Sequence, residues 1–417
     1  MNSRWLLGWL LLFALSSVTA RAQAVVNNNY GGDPYATSGA GYYPGTGMGG
    51  LMPTSWKVDD RLWFRWEYLH MWTDGMDVPP LVTTSPIGTP QDQAAILGMP
   101  GTTTLFGGSE INGGAVSGTR FQAGFWLVQD GSVGIEGEYM MFADQNDGYA
   151  VSSDGTQIIG RPFFDITQGQ ETAQLVSYPN LVNGSLSIGS NSSFSSYLVN
   201  GRVSMVPMAV VACAGDVAPD RIDWIVGYRH ISLDDSLSFR EQLESQVTPR
   251  GEISLAENFS SSNEFNGLQL GVTYQANFRR AWLETKMRVA LGNNTQEVGI
   301  SGNTVLTENG VSDTYPGGLY AQRTNMGTHK REQFTMVPEL GITFGFRLTS
   351  CLHATVGYNA IYLPAVVRAG EQIDQDVNPN LFPEETVPFV GALRPGFRFN
   401  ETDYLAHGVN IGAELRF

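Results

Sequence analysis

The feature that most restricts this chain is a period-two alternation that recurs from Leu62 to Phe417, with apolar residues on one parity and charged or small polar residues on the other. Such alternation marks β-strands with two unlike faces. In Ala281 to Leu291 one parity holds Ala281, Leu283, Thr285, Met287, Val289 and Leu291, and the other holds Glu284, Lys286 and Arg288. Leu340, Ile342, Phe344, Phe346 and Leu348 alternate with Glu339, Gly341, Thr343, Gly345 and Arg347. Leu352, Ala354, Val356, Tyr358, Ala360 and Tyr362 oppose His353, Thr355, Gly357 and Asn359, and Val409, Ile411, Ala413, Leu415 and Phe417 oppose Asn410, Gly412, Glu414 and Arg416.

About ten such segments can be counted, roughly 62–72, 118–128, 133–142, 185–206, 221–232, 264–276, 281–303, 332–348, 352–363 and 404–417. The connections between them take turns at about 45, 4, 42, 14, 31, 4, 28, 3 and 40 residues. Long and short connections in strict rotation, with an even strand count, predict an all-β fold: a single closed antiparallel transmembrane barrel with short periplasmic turns and long outer loops. Twelve strands is the alternative, because 143–206 has room for another hairpin. A soluble β-sandwich would also alternate. It does not explain why Trp66, Tyr68 and Trp72, then Trp224 and Tyr228, gather on the apolar parity near strand ends, as the aromatic girdles of a membrane barrel do.

The N-terminus carries an address. Arg4, an apolar run from Trp5 to Leu15 and the small-residue site Ala20-Arg21-Ala22 predict a cleaved signal peptide over 1–22. The run is too short to span a bilayer as a helix. Residues 23–60 are rich in Gly, Tyr, Asn and Pro and read as a flexible leader, leaving 61–417 for the barrel. Within the leader, Gly45-x-Gly47-x-x-Gly50 matches a dinucleotide fingerprint literally but lacks the strand before it and the helix after it. The net charge of -16 excludes a nucleic-acid partner, and charged residues are only 15% of the chain, low for a soluble enzyme.

Charge is distributed unevenly. The polar parity, which lines the lumen of a barrel, collects Arg65, Arg120, Arg202, Arg229, Lys286, Arg288, Arg347 and Arg416 against Glu67, Glu136, Glu138, Asp223, Glu284, Glu339 and Glu414. That near-balance implies mutual pairing. The five long connections hold 24 acids and 9 bases, so the outward region is acidic and attracts cations. Asp374, Asp376, Asn378 and Glu385 occupy the first, third, fifth and twelfth positions of a calcium loop, but Pro379 stands where the sharp turn needs Gly, so a solvated acidic loop is the better reading. No other metal site and no cofactor is implied. Cys213 and Cys351 are the only thiols; both fall at short connections and, in an oxidising compartment, are a candidate disulfide. His70, His230 and His407 share the lipid-facing parity, His353 points inward at a turn and His329 lies in a loop, so no catalytic residues are expected.

Several short pieces together resemble the beta-barrel porin-7 family, outer-membrane barrels of planctomycete type. They are Trp66-Glu67-Tyr68-Leu69, Pro79-Pro80-Leu81-Val82-Thr83-Thr84, Gly118-Thr119-Arg120, Gly124-Phe125-Trp126-Leu127, Gly134-Ile135-Glu136-Gly137, Arg161-Pro162-Phe163-Phe164 and Gly227-Tyr228-Arg229. Asn263-Glu264-Phe265-Asn266-Gly267, Gln269-Leu270-Gly271, Pro338-Glu339-Leu340-Gly341, Val356-Gly357-Tyr358-Asn359, Val367-Arg368, Ile373-Asp374 and Val377-Asn378-Pro379 continue the series. The resemblance implies a barrel in the outer membrane of a Gram-negative-type envelope with a pore function, and no catalytic residues. The terminal Phe417 resembles the signal read by barrel-insertion machinery. Three functions are then in play: a narrow porin-like channel for small solutes or ions, a non-conducting anchor whose acidic loops bind cations or partners, and, behind both, an outer-membrane hydrolase.

Overall fold

The structure is a computed structural model that describes residues 61–128, 131–205, 220–248, 250–383 and 390–417. The expected signal and leader lie outside these residues.

Ten antiparallel strands close on themselves: β1 (Leu62–Thr73), β2 (Gly114–Trp126), β3 (Val133–Phe142), β4 (Val182–Ser204), β5 (Arg221–Ser245), β6 (Gly251–Asn277), β7 (Ala281–Glu308), β8 (Gly327–Arg347), β9 (Leu352–Val367) and β10 (Glu401–Arg416). Each pairs with its neighbours in sequence, and β10 returns to β1 in the register Trp63↔Arg416 to Thr73↔Ala406. Closure leaves the ring no free edge within the apolar belt, which a spanning sheet requires because lipid offers no hydrogen bonds. That belt is the outward parity: Phe64, Trp66, Tyr68 and Trp72 on β1, Ile135 and Tyr139 on β3, Trp224, Val226 and Tyr228 on β5, and Val409 and Ile411 on β10 are all exposed.

Three strands run far beyond the belt. β5, β6 and β7 have 25, 27 and 28 residues, against the 9–11 or so that cross a bilayer. Residues 233–263, which the connection lengths assign to a long loop, instead hold the outer halves of β5 and β6, paired as far as Glu244 and Glu252. The reading failed there because the pattern inverts: Leu233, Leu237, Phe239 and Leu243 occupy the parity that carries charge lower down. Residues 304–331 likewise begin as strand, extending β7 to Glu308 and returning as Val311–Pro316.

The remaining long connections fold as well. Val82–Ser85, Thr103–Phe106, Ile158–Asp165 and Gln170–Ser177 form a second sheet, with Asp376–Val377 added in parallel. The hairpin that the twelve-strand alternative places in the wall is therefore Ile158–Asp165 with Gln170–Ser177, and it lies in this second sheet. Gln145–Ser153 continues the line of β3 along the same edge of β4, pairing with its outer part from Ser192 to Gly184. Ile159, Phe163 and Val176 of the second sheet pack in one apolar cluster with Leu237, Phe239 and Phe259 of the extended wall.

Candidate functional site

The inward face of the belt region is a network of charges. Arg65 Nε donates to Glu414 Oε2 at 2.7 Å and its Nη1 to Glu284 Oε1 at 3.0 Å. Glu284 stands on β7, across the bore from β1. Arg288 donates to Glu138 at 3.0 Å and Glu136 at 3.2 Å, again spanning opposite walls. Arg202 joins Glu136 at 3.0 Å to Asp223 at 2.6 Å, Arg120 donates to Glu67 at 2.6 Å, Lys286 meets Glu284 at 3.1 Å, and Arg229 pairs with Glu339.

Thirteen of the fifteen lumen candidates are buried in this layer, namely Arg65, Glu67, Arg120, Glu136, Glu138, Arg202, Asp223, Arg229, Glu284, Lys286, Arg288, Glu339 and Glu414. Arg347 and Arg416 are half-buried at the short-turn end. Sequence reasoning missed Arg221, which donates to Asp223 at 2.6 Å; its signal was the parity shared with Asp223 and Arg229. With Arg221, seven buried bases face seven buried acids. It also missed the amides that complete the layer: Asn200 donates to Glu136 at 3.0 Å, Gln122 to Glu138 at 2.9 Å and Asn410 to Glu67 at 2.7 Å. Buried charge survives only when paired and hydrogen-bonded, and these amides take up lone pairs the arginines leave over.

Outward of the charges lies an apolar layer that the alternation did not announce. Leu69 and Met71, Val116, Met140 and Phe142, Phe194, Ile231 and Leu233, Phe265, Ala290, Val337, Ile361 and Leu363, and Tyr404 and Ala406 form one buried cluster, and every one of the ten strands contributes. Phe194 stacks on Phe142 with ring centroids 4.6 Å apart and on Tyr404 at 5.7 Å. The lumen parity is thus polar at one depth and greasy at the next.

Two arginines pin the outer segments to the wall. Arg161 of the second sheet is fully buried, pairs with Glu241 of β5 and with Glu257 of β6, the latter at 2.5 Å, and lies 4.6 Å from the rings of both Phe239 and Tyr320. Burial pushes the Glu241 carboxyl up against the pull of Arg161, and pushes the Tyr320 hydroxyl up to about 12. Arg368 clasps Asp235 at 2.5 Å and donates to Gly75 O at 3.0 Å. Glu371, half-sunk beside Asp77, is raised by burial to about 7.

The described calcium-loop candidates lie away from this network. Asp374 accepts from Arg394 at 2.9 Å and from Gly396 N–H at 3.0 Å, and Asn378 is spent bracing Val390 and Ala392 carbonyls. No group of three His, Cys, Asp or Glu side chains that could hold a metal occurs among the described residues, and Glu385 lies outside them. Cys351 is a free, exposed thiol, and Cys213 lies outside the described residues. His70 and His407 flank Trp72 on the lipid face, His230 stacks on Tyr197 there, His329 stacks on Phe397, and His353 is buried 3.7 Å from Glu414. The five do not converge.

A closed ten-strand ring with a lipid-facing belt and an occupied bore defines an outer-membrane β-barrel. Residues 63–417 match the family described as "Putative beta barrel porin-7 (BBP7)", and the chain belongs to that family. No curated protein matches the chain. Among solved structures it is similar to the outer membrane protease OmpT of Escherichia coli, at 6% identity over 88% of this chain and 100% of that one, with a TM-score of 0.38. It is also similar to a Pseudomonas aeruginosa FadL homologue, at 9% identity over 86% and 90% of the two chains with a TM-score of 0.23. A third is the translocator domain of the autotransporter NalP from Neisseria meningitidis, at 8% identity over 86% and 89% with a TM-score of 0.21.

Proposed function

We propose that this protein is a barrel anchor, closed to free solute flow, that holds an acidic outer head at the surface of the outer membrane. The observation that carries this reading is the apolar layer to which all ten strands contribute. An ion crossing it would shed its hydration without receiving a ligand, the principle by which hydrophobic constrictions stop conduction. The cross-bore pairs of Arg65 with Glu284 and of Arg288 with Glu138 add a second barrier on the periplasmic side. The scattered positions of the five histidines favour a non-enzymatic role.

A porin-like narrow channel is the second reading, favoured by the family match and by a charged rather than greasy periplasmic layer. Planar-bilayer recordings of the purified full chain separate the two. The anchor reading expects no unitary current across a wide voltage range, with discrete openings appearing when Phe142→Ser and Phe194→Ser are combined. Steady current from the unaltered protein would overturn it in favour of the channel.

A further inference from the structure

Among the described residues, basic side chains gather at the short-turn end of the barrel, against the acidic balance of the chain as a whole. Arg279 and Arg280 form the tip of the β6–β7 turn, both exposed and neither in an ion pair among the described residues. Arg347 braces that turn from β8, its Nη1 donating to Phe278 O at 3.0 Å and to Arg279 O at 3.2 Å. Arg416, paired through Nε with the buried Glu414 at 2.5 Å, sits 5.2 Å from the Trp282 ring, with Arg347 at 5.8 Å. On the facing side, Arg61 donates to Leu127 O at 2.7 Å, and Arg221, whose Nε is held by Asp223 of the bore network, closes the rim 3.8 Å from the Trp126 ring while donating to Gly131 O at 2.7 Å. The described acid at this rim outside the bore network, Asp220, accepts from Tyr274 at 2.7 Å and from Asn277 N–H at 3.0 Å.

These cations stand next to lipid-facing apolar residues. Phe125, Leu127, Phe278, Phe346, Leu348 and Phe417 are exposed at the same end. Side chains that belong among acyl chains therefore lie beside guanidinium groups fixed by carbonyls and indoles, which puts the arginines at headgroup depth. In a chain of net charge -16, a basic rim confined to one end does not follow from composition. Guanidinium forks match phosphate oxygens, and each basic residue close to an anionic bilayer strengthens attachment.

We propose that this rim is a basic collar that holds the phosphate headgroups of anionic phospholipids in the periplasmic leaflet. The test titrates the full-length protein in detergent with phosphatidylglycerol or with phosphatidylcholine of the same acyl chains, counting retained lipids by native mass spectrometry. Phosphatidylglycerol should bind about tenfold or more tightly, and the pair Arg279→Gln and Arg280→Gln should remove most of that preference while Arg279→Lys with Arg280→Lys retains it. Both residues are exposed on a turn, so an unchanged heat-induced gel shift certifies the fold of each variant. Lys330→Gln with Arg331→Gln, at the opposite end, should leave the preference intact. Equal retention of the two lipids, equal loss in the outer variant, or displacement of phosphatidylglycerol by millimolar inorganic phosphate would each overturn the lipid assignment. None of these outcomes touches the reading of the bore.

Discussion

Strand β5 obeys two opposite rules in one unbroken register. On the half nearer the short turns it turns Trp224, Val226 and Tyr228 outward and hides Arg221, Asp223 and Arg229. On its outer half it turns Arg240, Gln242 and Glu244 outward and hides Leu233, Leu237, Phe239 and Leu243. The changeover falls at His230 and Ser232, where the surroundings change from lipid to water. In lipid the outer face gains nothing from polarity, and charges are satisfied by one another across a narrow bore. In water the hydrophobic effect returns and the inside becomes a largely apolar core, in which Arg161 and Arg368 are buried together with their carboxylate partners. What the difference teaches is that the surroundings of the wall decide its core: the belt encloses ion pairs, and the head encloses the second sheet.

The contrast can be broken most severely at Glu136, which accepts from Arg202, Arg288 and Asn200. Glu136→Ala leaves two buried guanidinium groups short of a partner and should cost about 3–5 kcal/mol. Urea unfolding in lipid vesicles, followed by tryptophan emission, checks this; a loss under about 1 kcal/mol would mean that the charges are already hydrated rather than paired.

The same substitution at two depths sharpens the comparison. Val226→Arg, in the middle of the lipid-facing stretch of β5, should cost about 2–4 kcal/mol, whereas Gln242→Arg on the same parity in the head should stay within about 0.5 kcal/mol. Equal costs would remove the boundary between His230 and Ser232.

The smallest effect is a titration confined to the head. Burial raises the Glu371 carboxyl to about 7, so the folded protein favours its protonated form. That contribution is complete below the usual carboxylate range and is lost as pH rises through about 7. Thermal stability of the head should therefore fall between pH 5 and about 8, and Glu371→Gln should flatten the profile. An unaltered slope in the variant would assign the titration to another group.

Much of the belt was legible because lipid imposes a simple code. Alternation located Arg65, Glu67, Glu284, Arg288, Glu339 and Glu414 on one parity, and an antiparallel ring sends one parity inward. The outer half was illegible for the same reason. Leu237 and Phe239 sit on the parity that had carried charge, so a reader who expects apolar residues to face outward sees the strand end near residue 232. Arg161 and Arg368 stood out only in the pieces that carry the family resemblance, and nothing pointed to their ion pairs, because each reaches carboxylates supplied by other strands, Glu241 and Glu257 in one case and Asp235 in the other.

By itself the amino-acid order determined a ring of about ten alternating strands, its lipid-facing parity and the approximate neutrality of its interior, because all three follow from side-chain direction along a strand. Only the tertiary structure decided which carboxylate each arginine meets, that Leu69, Phe142, Phe194 and Val337 join in one layer, and that the long connections fold into a second sheet packed against the extended wall. Those are contacts between residues far apart in the chain, and their partners are chosen by barrel closure rather than by local pattern.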